Sequence, residues 1–414
     1  MKNNFLKICG ITVLSALLMC SCTNNEKENT TEKSPVSEET KTPEIQDIPK
    51  TTELPLVESI TVTDETPGDY YGIYAMSDGI FKVASHNLSV GLMRADGELI
   101  MPCLYSTCRT ICDNVTAVRD DMGLWSYFNV ETGKFIVEKQ DSMFNFSEGI
   151  GCYFDGELYR YVNPDGTTAI EGTFYEAAPF SDGLSRVLTK DSFGYMDKSG
   201  KIVLHSDYLD FDDFCEGMAR VHENGKFGYI GKDGNLKFIM DTDAIFNYKD
   251  GLAAFITGKN IGYIDKDGRV SAEPKYQRPK QETDEYYRFE CGVAPVIKDG
   301  KYGFINKDGE LVIDAIYDNA MYAVNGIIRV QNNKLFGYVK TDGTVITDCI
   351  FTEAGTFTKD GIAKVLKDGK YYFINKEGKE LTAERFDDAS DFCGNTAFVV
   401  KEGTETWYKV TVNQ

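Results

Sequence analysis

The chain has 414 residues, a formal net charge of −21 and 42% hydrophobic residues. This length exceeds what one hydrophobic core usually serves, so we expect several domains or a repeat array. The negative charge repels phosphate backbones and anionic lipid headgroups, so the composition argues against nucleic-acid binding and favours a soluble folded part.

The first residues read as an export signal. Lys2 and Lys7 precede an apolar run, Ile8 to Met19, that is too short for a stable membrane span. The run continues into LLMCSCTNN, which resembles a bacterial lipoprotein signal whose cysteine is acylated after cleavage. Cys22 fits this pattern better than Cys20, which follows bulky Met19. We therefore predict a signal peptide over residues 1–22 with Cys22 lipidated, an ordinary secretory leader being the alternative; both export the protein.

Residues 23–58 are polar, charged and interrupted by four prolines. Such a segment buries too little apolar surface to offset chain ordering, so it is predicted to be a disordered tether. The remaining chain divides into a repeat domain, residues 59–410, and a C-terminal tail, residues 411–414.

A glycine closes one short phrase nine times, as in FGYMDKSGKIV and IGYIDKDGRVS. Successive spacings are 36, 33, 34, 34, 34, 41, 34 and 35 residues, which is typical of repeat proteins. The closing glycines are Gly97, Gly133, Gly166, Gly200, Gly234, Gly268, Gly309, Gly343 and Gly378.

Each copy is predicted to be a β-meander of three strands. A loop aromatic and a glycine precede one apolar run, as in FSDGLSRV, and two further runs flank the turn that ends in the closing glycine. Asn163-Pro164-Asp165-Gly166 suits a type I turn with a left-handed glycine. Apolar residues occupy both faces of the runs, so neighbouring copies are expected to cover one another.

These phrases resemble the WG-containing (KWG) repeat family of bacterial tandem repeats. The glycine of the family's namesake pair stands at Gly91, Gly194, Gly228, Gly262, Gly303 and Gly337. The residue before it is aromatic at Trp125, Tyr159, Phe193, Phe227, Tyr302, Phe336, Tyr371 and Trp407, and aliphatic at Val90 and Ile261. The hairpins also look distantly like choline-binding and cell-wall-binding repeats.

The sequence favours an all-β, open, stacked array, with the incomplete copies at its two ends acting as caps. The apolar run Ile60 to Val62 leaves a closed, propeller-like ring as the alternative. About ten units exceed the usual four to eight propeller blades, and 34 residues are short for four strands.

Few residues suggest catalysis or metal binding. The Asp-x-Asp-Gly turns lack the further carboxylates of a calcium loop, and His86, His205 and His222 occupy no equivalent repeat positions. We therefore predict no catalytic residue, no metal and no cofactor. The eight cysteines after Cys22 are expected to be buried free thiols; Cys103, Cys108 and Cys112 are too few and wrongly spaced for a zinc site.

The sequence favours a non-enzymatic binding module tethered to the membrane by its lipid anchor. The predicted partner is a cell-envelope glycan, such as peptidoglycan, or a protein, because repeated sites suit multivalent contact. A structural spacer and an envelope hydrolase with paired carboxylates are the alternatives. The 41-residue interval inserts residues 277–290, which are interpreted as a specificity element or a neutral surface loop.

Overall fold

The computed structural model describes residues 54–66, 68–77, 79–205, 212–281 and 283–413. In these ranges it contains 37 strands and one helix of four residues, so the predicted all-β fold is confirmed. The predicted signal peptide, Cys22 and residues 23–53 of the predicted tether lie outside the described residues. No helix within the described ranges is long and apolar enough to cross a membrane.

The first strand is β1 (Ile60–Glu65). The strands after it form ten copies of one unit, which are called repeats 1 to 10. Repeats 1 and 2 contain β2 (Gly72–Ser77), β3 (Ile80–Ala84), β4 (Val90–Arg94), β5 (Leu99–Tyr105), β6 (Thr107–Cys108), β7 (Val115–Arg119), β8 (Trp125–Asn129) and β9 (Lys134–Gln140). Repeats 3 to 5 contain β10 (Ser142–Met143), β11 (Gly151–Phe154), β12 (Tyr159–Val162), β13 (Thr168–Phe174), β14 (Glu176–Ala177), β15 (Leu184–Leu188), β16 (Phe193–Asp197), β17 (Ile202–His205), β18 (Met218–Glu223), β19 (Lys226–Gly231) and β20 (Leu236–Met240).

Repeat 6 contains β21 (Ala244–Lys249), β22 (Leu252–Thr257), β23 (Asn260–Asp265) and β24 (Val270–Gln277). Helix α1 (Asp284–Tyr287) precedes repeat 7, which contains β25 (Ala294–Lys298), β26 (Lys301–Ile305) and β27 (Leu311–Tyr317). Repeats 8 to 10 contain β28 (Asn319–Ala320), β29 (Ile327–Asn332), β30 (Leu335–Lys340), β31 (Val345–Phe351), β32 (Glu353–Ala354), β33 (Ile362–Lys367), β34 (Lys370–Asn375), β35 (Phe386–Ala389), β36 (Thr396–Lys401) and β37 (Trp407–Val412).

Most copies have four antiparallel strands, so the predicted three-stranded meander is corrected. The additional strand is the first; it spans six residues in β2 and β21 and two residues in β6, β10, β14 and β28. In β14, Glu176 pairs with Leu188 and Ala177 with Val187. A strand this short lets four strands fit into 34 residues. The last strand of each four-stranded sheet, such as β5 or β31, is an edge strand.

The turn glycines adopt the conformation that their position requires. All nine closing glycines have φ between 67° and 95°, a region that side-chain-bearing residues rarely enter. In one such turn, the Asp197 carboxylate accepts hydrogen bonds from the backbone N–H groups of Ser199 and Lys201 at 2.9 and 3.2 Å. Because each Asp-containing turn satisfies its own backbone in this way, the local sequence determines the hairpin.

The hydrophobic core lies between repeats. One buried cluster joins Cys152 and Tyr161 of repeat 3 to Val187 and Met196 of repeat 4. A second joins Phe304 of repeat 7 to residues of repeat 8. Each sheet is therefore covered by its neighbours, as the apolar residues on both strand faces indicate.

The two ends of the array are in contact. Strand β1 pairs with β37, with Ile60 opposite Val412 and Val62 opposite Val410. Repeat 1 also packs on repeat 10, where the ring centroids of Phe81 and Phe398 lie 4.8 Å apart. The array of tandem meanders is confirmed, but its terminal copies are not separate caps, and the closed alternative matches these contacts.

The terminal boundaries drawn from sequence shift accordingly. Val57, assigned to the tether, is buried in a cluster with Phe373, and its carbonyl accepts a hydrogen bond from the Asn375 side chain at 3.0 Å. At the other end, Thr411 and Val412 belong to β37 rather than to a tail. The sequence did not assign these terminal segments to the folded domain, because the residues that they contact are distant in the sequence.

Candidate functional site

An aromatic ladder joins successive repeats. In each rung, an aromatic residue on the third strand of one repeat meets the loop aromatic of the next, mostly edge to face. The ring centroids lie 4.6 to 5.6 Å apart. The pairs are Tyr127–Phe146, Tyr161–Phe180, Tyr195–Phe214, Tyr229–Tyr248, Tyr263–Phe289, Tyr338–Phe357 and Phe373–Phe392. The repeated aromatics thus build the scaffold.

Most ladder tyrosines also bond to the next repeat through their hydroxyl groups. The Tyr195 hydroxyl donates to the Asp212 carbonyl at 2.6 Å, and Tyr127 donates to the Phe144 carbonyl at 2.7 Å. Burial raises the pKa of the Tyr229 hydroxyl well above its usual value, so it remains a donor. Tyr263 is the exception, because its buried hydroxyl has no hydrogen-bond partner among the described residues.

The glycine of the namesake pair is required by close packing against the last strand. A Cβ placed at Gly228 would lie 2.6 Å from the Phe238 carbonyl oxygen, and one at Gly337 would lie 2.7 Å from that of Asp348. Where Ser126 replaces the glycine, its hydroxyl accepts a hydrogen bond from the Lys139 N–H group at 3.1 Å. The pair is therefore a packing motif.

The predicted aromatic positions before this glycine differ in exposure. Tyr302 and Trp407 are buried, Phe193 is 39% exposed, and the remaining five are partly buried: Trp125, Tyr159, Phe227, Phe336 and Tyr371. The Trp125 ring is covered by the Arg109 guanidinium, 4.2 Å from the ring centroid. These positions therefore do not form one continuous exposed aromatic surface.

A second ladder is polar. The Asp113 carboxylate accepts a hydrogen bond from the Gly149 N–H group of the next repeat at 2.7 Å, and the Glu148 carboxylate accepts one from Gly183 at 3.1 Å. Glu148 also pairs with Lys198 at 3.0 Å. Asp182, Glu216 and Asp250 make the same contact to Gly217, Gly251 and Gly292. These loop acids hold neighbouring repeats together.

The three histidines lie at unrelated places. The His86 Nε2 atom lies 2.9 Å from an exposed Asp69 oxygen, His205 Nδ1 lies 3.2 Å from the Ser192 hydroxyl, and the His222 ring lies beside Phe227. Among the described residues, no three His, Cys, Asp or Glu side chains are grouped in a way that could hold a metal ion.

The eight cysteines of the described part are free thiols. Cys112, Cys152 and Cys393 are buried, and the other five are partly buried. The Cys215 thiol donates to the Tyr248 carbonyl at 3.1 Å, as the Ser181 hydroxyl donates to that of Phe214 at 2.7 Å. Cys215 therefore takes the place of a serine that bonds to the next repeat.

The 41-residue interval does not simply add a surface loop. It contains α1, whose Tyr287 is fully buried and packs on Phe246 with ring centroids 4.6 Å apart. Phe289 is also fully buried and supplies the ladder partner of Tyr263. The part after α1 thus replaces the first strand of repeat 7, and the Tyr286 ring meets Tyr322 of repeat 8 at 5.9 Å.

Sequence reasoning missed a row of cations on the second strands. Arg186 pairs with Asp213 of the next repeat at 2.7 Å, and Lys364 lies 4.0 Å from Asp391. Each acid stands 27 residues after its cation. Lys82, Arg220 and Arg329 occupy the equivalent positions of β3, β18 and β29, but the residues 27 positions after them are not acids. Arg220 pairs instead with Asp212 at 2.6 Å. The recurring cation is therefore the signal that could have revealed the row, and the position of its acid is not.

Exposed aliphatic residues recur on the last strands. Leu99, Leu236, Val270 and Val345 each follow a closing glycine by two residues, and all are exposed. Leu104, Ile316 and Ile350 follow one by seven residues and are also exposed. Equivalent positions in several repeats therefore present apolar side chains to solvent.

Comparison with solved structures finds proteins of low sequence identity. A eukaryotic initiation factor aligns with 10% identity and a TM-score of 0.49, covering 79% of this chain and 100% of its own. BamB from Moraxella catarrhalis aligns with 12% identity and a TM-score of 0.38, covering 67% and 94%. The WD40 domain of SCAP from fission yeast aligns with 9% identity and a TM-score of 0.33, covering 86% and 97%.

The sequence comparisons identify a family but no individual relative among the curated proteins. None of the curated proteins compared with the chain matches it. The model of the WG-containing repeat matches residues 159–191, 193–227, 261–302, 302–336, 336–371 and 373–404, just over half of the chain. The matched segments contain four of the six namesake glycines and five of the seven ladder pairs, and the chain belongs to the WG-containing repeat family.

Proposed function

We propose that this protein is a non-enzymatic binding module of the bacterial cell envelope, held at the membrane by a lipid on Cys22. Its repeats bind an envelope glycan by many weak contacts. The observation that carries this proposal is the recurrence of exposed apolar side chains at equivalent positions, such as Leu104, Ile316 and Ile350. A polymer with its own repeat can meet such positions one after another, and linked contacts raise the effective concentration of each.

Exposed aromatic rings support a glycan as the ligand. Tyr71 and Tyr175 are more than half exposed, and Tyr74 and Phe193 are also exposed. Flat rings of this kind offer large apolar area at little cost in side-chain entropy. Tyr175 and Phe193 both belong to repeat 4, where the Tyr175 N–H group bonds to the carbonyl of Leu188, the residue opposite Phe193.

A protein partner is the second candidate, favoured by the edge strands. Strands β5, β27 and β31 each end a sheet and carry the exposed aliphatic side chains. An unpaired strand edge is a ready site for an added strand of another chain. Strand β1 already adds to the edge of repeat 10 in this way.

A scaffold role for the polar residues supports the non-enzymatic part of the proposal. The recurring acids bond to glycine N–H groups, and the recurring lysines pair with those acids, as Lys232 does with Asp182 at 2.9 Å. Carboxylates and ammonium groups that bond to neighbouring repeats stabilise the array, and this role accounts for them without a substrate.

A retention assay tests the proposal. The full chain, purified in mild detergent, is incubated with insoluble peptidoglycan and with a panel of insoluble polysaccharides. Retention on one polymer, reduced by soluble fragments of the same polymer, is the expected result. If no polymer retains the chain and a defined envelope protein is captured instead, the glycan is not the ligand and the second candidate, a protein partner, replaces it.

A further inference from the structure

The two ends of the sheets carry different connections. At one end, called the ladder end, lie the loops before the second strands and the turns of the closing glycines, which meet where Lys198 pairs with Glu148 at 3.0 Å. At the other end, called the tip end, lie the hairpins between the second and third strands, such as residues 189–192 of repeat 4. Consecutive connections of antiparallel strands alternate between the two ends of a sheet, so each four-stranded repeat has both.

One position at the tip end holds an exposed ring in two repeats. The residue before the first strand donates its N–H group to the carbonyl of the last residue of the second strand. Tyr71 donates to Ala84 in repeat 1, and Tyr175 donates to Leu188 in repeat 4, both at 2.8 Å. Tyr71 is 59% exposed and Tyr175 is 54% exposed. The two rings therefore occupy equivalent places in repeats 1 and 4.

Other repeats use this position to hold their own hairpin. The Asp318 carboxylate accepts a hydrogen bond from the Asn333 N–H group at 2.8 Å. The Ser106 hydroxyl donates to the Arg119 carbonyl at 3.0 Å. Corresponding contacts are made in repeats 6 and 9 by Asp243 and Thr352. A short polar side chain at this position therefore serves the fold, and in repeats 1 and 4 a ring exposed to solvent replaces it.

Each ring has one hydrogen-bond acceptor and one nitrogen group in its surroundings. The His86 ring lies 6.3 Å from the Tyr71 ring, and its Nε2 atom lies 2.9 Å from an Asp69 oxygen. In repeat 4, the hairpin beside Tyr175 presents the exposed lysine and aspartate of residues 190–191. Sugar hydroxyls donate to carboxylates and accept from such nitrogen groups. The net charge of −21 repels anionic polymers, so these surroundings favour an uncharged sugar.

The N-terminal segment lies at the ladder end. Leu54 packs against a buried cluster of repeats 8 and 9, and its carbonyl accepts a hydrogen bond from Lys376. A Cβ placed at Gly361 would lie 2.5 Å from the Pro55 carbonyl oxygen, whereas one at the equivalent Gly183 would have no described atom within 4 Å. The described chain therefore begins at the end of the sheets opposite the two rings.

We propose that the tip end is the surface that binds the glycan, and that Tyr71 and Tyr175 each contact one uncharged sugar unit. The apolar face of the sugar packs on the tyrosine ring, and its hydroxyls bond to the groups beside that ring. The exposed residues Leu104, Ile316 and Ile350 lie at the same end, because each stands two residues before the position of the rings. This inference rests on the proposed function and specifies its binding surface and sugar class.

The test measures retention of the full chain on insoluble cellulose and chitin, which are uncharged, and on cross-linked polygalacturonate and peptidoglycan, which are anionic. The wild type is expected to be retained by at least one uncharged polymer and not by polygalacturonate. Retention only on the anionic polymers would overturn the proposal and leave the proposed function standing. Retention on none of the four would overturn both.

Paired substitutions locate the surface. Tyr71→Ser with Tyr175→Ser is expected to weaken binding to the uncharged polymer about tenfold or more, and Ser106 shows that serine suits this position. Tyr71→Phe with Tyr175→Phe keeps both rings and is expected to retain binding. Leu236→Ser with Val345→Ser removes exposed apolar side chains at the ladder end and is the matched control, with binding and unfolding temperature expected to equal those of the wild type.

The same variants separate the surface from the function. If the wild type is retained and the double serine variant at the tip end binds equally well, the tip end is not the glycan surface and the proposed function stands. An equal loss in the ladder-end control would also overturn the placement. Thermal unfolding of each variant checks that a loss of binding is not a loss of fold.

Discussion

Tyr195 and Phe214 lie in different repeats, and their rings meet edge to face with centroids 4.7 Å apart. The same pairing recurs along the array, so the repeated sequence motif supplies the contacts that join successive repeats. Both rings are buried, with 1% of each residue exposed.

Removal of a ladder hydroxyl has opposite consequences at two equivalent positions. Tyr127 and Tyr263 are both fully buried, but only the Tyr127 hydroxyl has hydrogen-bond partners among the described residues. Tyr127→Phe is expected to lower the free energy of unfolding by about 1 kcal/mol, and Tyr263→Phe to leave it unchanged or raise it. Urea unfolding of both variants measures this, and an equal loss in both would contradict the contact pattern.

Cysteine substitutions separate a serine-like site from a core site. Cys215→Ser is expected to change the free energy of unfolding by less than about 0.5 kcal/mol, because the hydroxyl can donate to Tyr248 as Ser181 does to Phe214. Cys152→Ser is expected to lower it by about 1–3 kcal/mol, since Cys152 is buried in an apolar cluster. Thermal and urea unfolding compare the two. Similar losses would show that both thiols only fill space.

Closure through β1 predicts that the two ends unfold together. Ile60 is buried against Val410 and Phe373, so Ile60→Ala is expected to lower the free energy of unfolding by about 2–4 kcal/mol. Amide exchange in β37 should also accelerate. Ile350→Ala, at an exposed edge-strand position, is the control and should do neither. Unchanged exchange across Trp407–Val412 in Ile60→Ala would mean that the ends are independent.

Asp284 makes stability depend on pH. Burial raises the pKa of this carboxyl above its usual value; the attraction of Arg220 opposes the shift, and repulsion from Asp212 adds to it. Because the folded pKa lies above the unfolded one, protonation favours folding, and this contribution is lost as pH rises through the folded pKa.

Asp284→Asn removes the charge and can still contact Asn247. It is expected to exceed the wild type in free energy of unfolding at neutral pH, and the difference should shrink towards pH 4, near the usual pKa of an aspartate. Urea titrations at several pH values measure the difference. A constant difference across this range would show that the Asp284 charge does not set it.

The sequence predicted what depends on neighbouring residues. The turn glycines and the strands beside them follow from local chemistry, as at Asn163-Pro164-Asp165-Gly166. The two-residue strands, such as β14, show no alternation and could not be recognised. The apolar run Ile60 to Val62 indicated a strand that could close the array, but its pairing of Val62 with Val410 joins residues far apart in the sequence and could not be chosen over the open alternative.

The contacts between repeats were harder to predict than the hairpins, because the residues that make them are spread over several repeats. Phe289-Glu290-Cys291-Gly292 repeats the spacing of Phe214-Cys215-Glu216-Gly217, so the burial of Phe289 could have been inferred. The acids that Arg186 and Lys364 meet, each 27 residues later, become visible only in the contacts between repeats. A sequence shows which residues recur, and contacts show which partner each of them meets.

The measurement that tests the central claim most directly uses one glycan retained by the protein, cut into fragments of increasing length. Binding of the full chain to each fragment is measured together with the release of reducing ends during incubation. A multivalent, non-enzymatic module predicts that affinity rises steeply with fragment length and that no reducing ends appear. Affinity independent of length, or steady release of reducing ends, would contradict the account.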